Sequence, residues 1–342
     1  MTRGAATSVS INGWIILDKP LGLGSTQAVA AVKRNLRAAG FGKVKVGHGG
    51  TLDPLATGVL PIALGEATKL CGRMLDASKI YDFTVNFGTE TAGLDAEGEV
   101  VATSAIRPTL EQIEAILPEF TGPIQQIPPA FSAIKIDGKR AYDLARAGIE
   151  VEMKAREVTV FALNTRHPGG RRDLYKDDAI GAAGDSGFRR NDESLEGDLR
   201  SDQGDEQLSF ITLTAHVSKG TYIRSLARDI AHALGTVGHV TMLRRTRAGP
   251  FSLSQAISLD KLNEIGEGAA ATELILPLEA GLDDIPVLDL TPEAAGAIRQ
   301  GRVVTGIAMD DGFHWARDAA MRPVALIEIS AGKLKIIRGF NI

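Results

Sequence analysis

The segment Gly47-His48-Gly49-Gly50-Thr51-Leu52-Asp53-Pro54-Leu55-Ala56-Thr57-Gly58-Val59-Leu60-Pro61 carries the most chemical information in the chain. Glycines on both sides of His48 let the backbone approach a ligand closely and take positive φ. The proline after Asp53 biases that residue toward an extended conformation, which puts its carboxylate on a loop and not in a helix. A carboxylate so placed can serve as nucleophile or base, and both roles need the ionised form. Taken alone, Asp-Pro is also an ordinary turn signal. The glycines from Gly58 to Gly65 suggest a phosphate loop only weakly, because no Gly-Lys-Ser/Thr follows. A second segment, Ser218-Lys219-Gly220-Thr221-Tyr222-Ile223-Arg224-Ser225-Leu226, lies at a strand-to-helix junction. There Tyr222 and Arg224 fall off the apolar stripe of the following helix and are free to face a cleft. A third, Ile127–Lys135 with Gly138-Lys139-Arg140-Ala141-Tyr142, mixes bases with aromatics. That mixture suits phosphate neutralisation and base stacking on RNA, although an ordinary loop and helix start look similar.

The elements that must hold these segments follow from hydrophobic periodicity. Trp14-Ile15-Ile16-Leu17 reads as a short buried strand running into an Asp18-Lys19-Pro20-Leu21-Gly22 turn. Ser25 or Thr26 is then expected to cap a helix with Val29, Val32 and Leu36 on one stripe, ended by Gly40. Residues 80–88 alternate, with Tyr81, Phe83, Val85 and Phe87 on one side, as in a half-buried strand. Thr109 and Gln112 form a capping box for a helix through Ile113 and Ile116. From Thr221 onward, Ile223, Leu226, Ala227, Ile230, Ala231 and Leu234 make one helical stripe that stops at Gly235. After about residue 284, Thr291-Pro292 starts a short helix, and strands are expected at Val303–Ile307, Val324–Glu328 and Lys333–Ile337. Strands joined by loops, without regular strand–helix alternation, give an α+β class with a mixed, largely antiparallel sheet and flanking helices.

Length and composition bound the remaining choices. At 342 residues the chain is long enough for one large domain and a small one. No apolar run approaches the ~18–20 residues that span a bilayer, and the N-terminal stretch lacks a secretory apolar core, so a cytoplasmic location is expected. A single Cys71 excludes an internal disulfide or a cysteine-rich metal site and reads as a small buried apolar residue. The six histidines show no paired metal-ligand spacing, which makes a zinc site improbable. The net charge of −4 is misleading, because residues 168–207 alone hold eleven acids against six bases. That stretch reads as a flexible insertion between two extended segments, Val158–Leu163 and Ser209–Val217. Outside it the bases cluster: residues 1–55 hold seven against two acids, and residues 217–247 hold six against Asp229 alone. Local clusters of this kind can neutralise phosphates whatever the overall balance.

Together these segments closely resemble the TruB family of pseudouridine synthases. Leu17-Asp18-Lys19-Pro20 matches the family's first motif, and His48 to Gly58 matches its catalytic motif, whose aspartate falls on Asp53. Lys79-Ile80-Tyr81 matches the motif of the active-site tyrosine, and residues 126–146 the RNA-clamping thumb, which holds Lys135, Lys139 and Arg140. Residues 218–226 match the segment with a second tyrosine, Tyr222, and the arginine paired to the catalytic aspartate, Arg224; Leu243-Arg244-Arg245 matches the last pocket segment. The likeness runs through residues 12–163 and 208–251, then weakly to the C-terminus. It departs at the acidic insertion and at Gly24, where many members carry a serine-rich turn.

The resemblance implies a pseudouridine-synthase-type domain over residues 1–283, with a thumb at about 124–150 and the insertion at about 167–207, and a small β-rich, PUA-like RNA-binding domain over 284–342. It implies isomerisation of uridine 55 in the tRNA T-loop, with the target base flipped out of its stack. Asp53, Arg224 and Tyr81 would be catalytic, with Arg224 favouring the ionised aspartate. His48, Tyr222, Leu243, Lys19, Lys135, Lys139 and Arg140 would bind substrate. Of these, His48 would fill the space left in the RNA fold and Leu243 would line the pocket, while Tyr81 would stack on the flipped base. No cofactor, metal, membrane or obligatory protein partner is implied, and a monomer acting on the T-arm stem-loop is expected. The competing readings are a catalytically silent RNA-binding or RNA-folding module and a guide-RNA-dependent relative. A silent module has no need of Asp53, and the compact N-terminus and short C-terminal module favour the stand-alone form.

Overall fold

A computed structural model describes residues 11–132, 134–136, 138–147, 149, 153–166, 206–266, 271–302 and 304–342. The chain opens with β1 (Gly13–Lys19), α1 (Ser25–Ala38), β2 (Val46–His48), β3 (Ala56–Leu64), α2 (Cys71–Asp76) and β4 (Lys79–Phe87). There follow β5 (Thr89–Thr91), β6 (Val100–Thr103), α3 (Leu110–Ile116), β7 (Gly122–Gln126), β8 (Lys135–Ile136), β9 (Lys139–Arg140) and α4 (Ala141–Arg146). The second half holds β10 (Arg156–Thr165), β11 (Phe210–Val217), α5 (Ile223–Ala233), β12 (Gly238–Ala248), β13 (Phe251–Ser252) and α6 (Leu259–Gly266). Seven of the strands form one sheet path in the order β1-β3-β12-β4-β11-β10-β7, antiparallel except where β12 pairs with β3.

Burial explains why the two ends of this sheet look different in sequence. In β1, Trp14 and Ile16 enter one apolar cluster while Ile15 and Leu17 enter another; β3 divides in the same way, Val59 and Ala63 against Leu60, Ile62 and Leu64. Both faces are covered there, so the strands read as continuous apolar runs. At β4 and β11 the apolar packing is concentrated on one face: Phe83, Val85, Phe87, Leu213, Ala215 and Val217 pack under α5. The other face carries polar groups such as Thr84 and Thr212, whose hydroxyls lie 2.9 Å apart. The expected stripe of α5 is buried as read, and Gly235 ends it with φ +72°.

The expected capping box is formed: Thr109 Oγ1 accepts from the Gln112 amide, and Gln112 Oε1 accepts from the Thr109 amide. At α1 the expectation is corrected. Gly24, not Ser25 or Thr26, is the N-cap, because the Ser25 hydroxyl is engaged elsewhere, with the main chain of Leu52. The segments on either side of the acidic insertion are β10 and β11, which pair antiparallel as far as Thr165 and Leu213. Most of the insertion, residues 167–205, lies outside the described residues. Cys71 is half-buried against the first-strand cluster, and burial pushes its thiol pKa up.

A second, five-stranded sheet is built from β14 (Val287–Asp289), β15 (Val304–Thr305), β16 (Gly312–Arg317), β17 (Pro323–Ser330) and β18 (Lys333–Gly339), in the order β14-β16-β17-β18-β15, with α7 (Pro292–Arg299) beside it. Thr291 caps α7 and Pro292 opens it, as read from the sequence. Trp315 and Phe340 of this part share a cluster with Trp14 and Phe251 of the larger sheet and with Leu278 of the short helical turn at 278–281. Trp14 is fully buried; its indole Nε1 donates to the Leu278 carbonyl at 3.0 Å and its ring lies 5.1 Å from that of Phe251. Among the described residues no helix is long and apolar enough to cross a membrane. Trp14→Ala is expected to lower unfolding free energy by about 3–5 kcal/mol, as for other large aromatic truncations in a packed core. Urea unfolding measures it, and a loss below about 1 kcal/mol would show that the cluster does not join the two sheets.

Candidate active site

The loop 49–55 between β2 and β3 is fastened chiefly through its main chain. Ser25, the first residue of α1, uses its hydroxyl twice on Leu52, donating to the carbonyl and accepting from the amide, each at 2.9 Å. The Gly22 amide donates to the Pro54 carbonyl at 2.8 Å. Lys19, at the end of β1, is wholly buried, and its Nζ donates to the carbonyls of Leu23 (2.7 Å), Pro20 (2.9 Å) and Pro54 (3.3 Å). Burial pulls its pKa down to about 8; the charge of Asp53 acts the other way, and that of Arg245 adds to the lowering.

Arg245 on β12 completes the support from below. It is 1% exposed and donates to the carbonyls of Val59 (2.7 Å), Thr51 (3.3 Å) and Gly50 (3.3 Å). Among the described residues no carboxylate forms an ion pair with it. Gly58 explains how β12 comes so close. Its φ is +102°, and a Cβ there would lie 2.2 Å from the Arg245 carbonyl oxygen. Only glycine meets both conditions.

Asp53 itself is reached from α5. Arg224 Nη2 donates to Asp53 Oδ2 at 2.9 Å and to the Phe131 carbonyl at 3.0 Å, while Nη1 donates to Asp95 Oδ2 at 2.9 Å and the Gly93 carbonyl at 2.8 Å. The arginine side chain is 9% exposed against 48% for Asp53, so the guanidinium forms the floor and the carboxylate faces outward. A cation in the first turn of a helix opposes the helix dipole, and the two carboxylates offset that. The sequence reading is corrected here: Arg224 does not face a cleft freely but is buried between two acids. Tyr222 is the N-cap residue and precedes the helix proper.

Tyr222 is held by its main chain, which exchanges two hydrogen bonds with the side-chain amide of the buried Gln126, at 2.7 and 3.1 Å. The Arg156 guanidinium lies 4.8 Å from the centre of its ring and also donates to the Gly220 carbonyl. Tyr81 on β4 and Leu243 on β12 are partly buried against the cluster under α5. Tyr81 sits opposite Arg245 in the ladder, and Arg245 opposite Gly58, which places β4, β12 and β3 side by side at the loop. His48 ends β2; its Nδ1 accepts weakly from the Gly50 amide at 3.4 Å, and burial followed by the charge of Arg245 lowers its pKa, favouring the neutral ring. Lys135, Lys139 and Arg140 lie on the β8–β9 hairpin. Their side chains lie outside the described part of the structure. Among the described residues no group of three or more His, Cys, Asp or Glu side chains is placed to hold a metal ion.

Asp95 escaped the sequence reading, since it stands after an apolar residue in an unremarked turn. Its one local sign is structural: Leu94 takes φ +59°, rare for a bulky side chain. Arg156 likewise carries no motif of its own, and Gln126 stands in the sequence only as the first residue of the thumb segment. Arg245 had been read only as part of a basic cluster and of the last pocket segment.

Solved structures with this architecture include one titled "Structure of H/ACA RNP bound to a substrate RNA containing 2'-deoxyuridine", with TM-score 0.64 and 22% identity over 96% of this chain and 85% of that one. Another, the archaeal box H/ACA sRNP Nop10-Cbf5 complex, has TM-score 0.62 and 23% identity over 96% of this chain and 85% of that one. The sequence model of the TruB family pseudouridylate synthase N-terminal domain matches residues 34–173, and that of the tRNA pseudouridylate synthase B C-terminal domain matches residues 224–283. A tRNA pseudouridine synthase B of Novosphingobium aromaticivorans is 60% identical over 97% of this chain and 98% of that one. One of Zymomonas mobilis is 49% identical over the whole of both. The chain belongs to the TruB family of pseudouridine synthases.

The state of Lys19 gives the site a pH signature. As pH rises through about 8, Lys19 loses its proton and the positive charge facing Asp53 is lost. Single-turnover isomerisation rates are expected to fall through a basic limb near pH 8, and Lys19→Met is expected to be slow with that limb missing. A limb of the same position in Lys19→Met would assign it to another group, such as Lys79, whose pKa burial also lowers to about 8.

Proposed function

We propose that this protein isomerises uridine 55 in the T-loop of tRNA to pseudouridine, with Asp53 as the essential carboxylate. The observation that carries the reading is the half-exposed Asp53 held by a buried Arg224, which a second carboxylate, Asp95, fixes from the other side. Substrate identity rests on the relatives named tRNA pseudouridine synthase B. The reaction breaks the bond between C1′ and N1, turns the base, and joins C1′ to C5; C5 gives up a proton and N1 gains one. Nothing is oxidised and nothing leaves, so no redox cofactor or co-substrate enters the balance. A base inside a folded loop must first be unstacked, at a cost of a few kcal/mol. Asp53 then adds to the nucleoside or removes a ribose proton, and both steps use the carboxylate held by Arg224.

In this reading Tyr81 stacks on the extruded base and Leu243 lines its pocket. The neutral His48 occupies the space the base vacates, while Tyr222, Lys135, Lys139 and Arg140 hold the RNA; Lys19, expected from the resemblance to bind substrate, is instead wholly buried with its ammonium on three carbonyls and supports the loop. The T-arm stem-loop is the partner, the protein acts as a monomer in the cytoplasm, and residues 284–342 form a small C-terminal RNA-binding domain.

The direct experiment maps pseudouridine in tRNA incubated with the purified protein; a modified site other than position 55 would overturn the positional assignment. Asp53→Asn is expected to abolish turnover while tRNA affinity stays within about tenfold, roughly 1.4 kcal/mol. A variant keeping a tenth of wild-type turnover would remove Asp53 from the chemistry. Tyr81→Phe keeps the stacking face and Tyr81→Leu does not, so Phe should weaken binding of the flipped base far less than Leu. Equal tolerance of both would make Tyr81 a core residue only.

A further inference from the structure

Between Asp18 and Asp53 the chain holds no acidic residue, yet it carries Lys19, Lys33, Arg34, Arg37, Lys43 and Lys45. Lys19 belongs to the active site. The other five are exposed, on the last two turns of α1 and the loop leading to β2. Among the described residues none of them forms an ion pair. Glu66 feels the charge of Lys45, but its own carboxylate is engaged by Lys69 at 2.5 Å and by the Asn341 amide at 2.7 Å.

The arrangement is unfavourable for the protein alone. Lys33 and Arg37 stand four residues apart and Arg34 and Arg37 three apart, spacings at which like charges repel on a helix surface. The helix dipole rewards a cation in the last turn, which accounts for Arg37 but not for the charges a turn earlier or beyond the helix end. The opposite side of α1 is fully used: Ala28, Ala31, Val32 and Leu36 are buried in the core, and Asn35 Nδ2 donates to Asn263 Oδ1 at 3.0 Å. The basic side is therefore free of packing duties.

Position supplies the rest. α1 begins at Ser25, whose hydroxyl grips Leu52, the residue before Asp53. Fourteen helical residues at 1.5 Å each carry the far end about 20 Å from the site. We infer that Lys33, Arg34, Arg37 and Lys43, with Lys45 at the edge, bind the phosphates of a second base-paired RNA stem, outside the stem-loop that enters the active site. The inference rests on the RNA-modifying reading and extends it. A row of exposed cations whose one neighbouring aromatic, Phe41, packs against the core suits duplex backbone, since single strands are held by stacking as well as charge.

The test uses a full-length tRNA transcript and its isolated T-arm stem-loop. In the variant Lys33→Gln, Arg34→Gln, Arg37→Gln, Lys43→Gln, Kd for the full-length transcript is expected to rise at least ~10-fold near 0.1 M salt, and the slope of log Kd against log salt to fall by about three. Affinity for the stem-loop and kcat on it should stay within about twofold of wild type. A second variant that keeps the charges, Lys33→Arg, Arg34→Lys, Arg37→Lys, Lys43→Arg, should bind both RNAs as wild type does. Unchanged affinity for the full-length transcript would overturn the inference and leave the patch to an acidic protein. Equal weakening on both RNAs would overturn it as well, as would failure of the charge-keeping variant. If the wild-type protein forms no pseudouridine on either RNA, it is the functional reading that fails, and the unaltered protein alone shows it.

Discussion

The active-site loop depends on cations that grip its carbonyl oxygens. Lys19 and Arg245 are both removed from solvent, and neither is neutralised by a directly bonded carboxylate among the described residues; Lys19 donates to Pro20 and Leu23 in the turn after β1 and to Pro54 of the loop, and Arg245 to Gly50, Thr51 and Val59. Burying a charge is costly unless hydrogen bonds replace the lost water. Here the replacement oxygens belong to Gly50, Thr51, Pro54 and Val59 together with Pro20 and Leu23, so the conformations of the loop and of the turn after β1 and the burial of the two cations stabilise each other. Asp53 lies within that frame, paired on its other side with Arg224. Asp53 is thus a carboxylate flanked by positive charge on three elements, β1, β12 and α5, an arrangement of the kind called electrostatic preorganisation.

The same logic explains the strands. β12 must approach β3 closely enough for Arg245 to pass its guanidinium beneath the loop, and a glycine at position 58 is what allows it. β4 lies on the other side of β12 and brings Tyr81 into the same row. The parallel pairing of β12 with β3 is the departure from an otherwise antiparallel path, and it falls at the site.

Much of this was legible in the sequence where local chemistry decides structure. The Thr109–Gln112 box, the Thr291-Pro292 start, the α5 stripe and the two strands beside the acidic insertion all form as read, because caps and periodicity are local signals. The strands β14 and β16 were missed. β14 is three residues long, and β16 buries His314 and Ala316 as well as Trp315, which erases a clean alternation. Ser25 was taken for a cap since serine commonly is one; its true partner, Leu52, is 27 residues away and belongs to tertiary structure. Asp53 and Arg224 were found through motifs, but Asp95 joins them only by a fold-level contact spanning 129 residues.

The cluster in which Trp14 meets Trp315 and Phe340 has a consequence for how the molecule opens. Lys69 adds to it by donating to the Gly339 carbonyl at 2.9 Å, so the end of the chain is tied to the helical turn after β3. Small sheets joined by loops commonly form separate foldons with their own exchange behaviour. A shared aromatic cluster removes that independence. Amide protons in the middle of β17 are therefore expected to exchange with those of β1 and β3, and the two sheets to melt together.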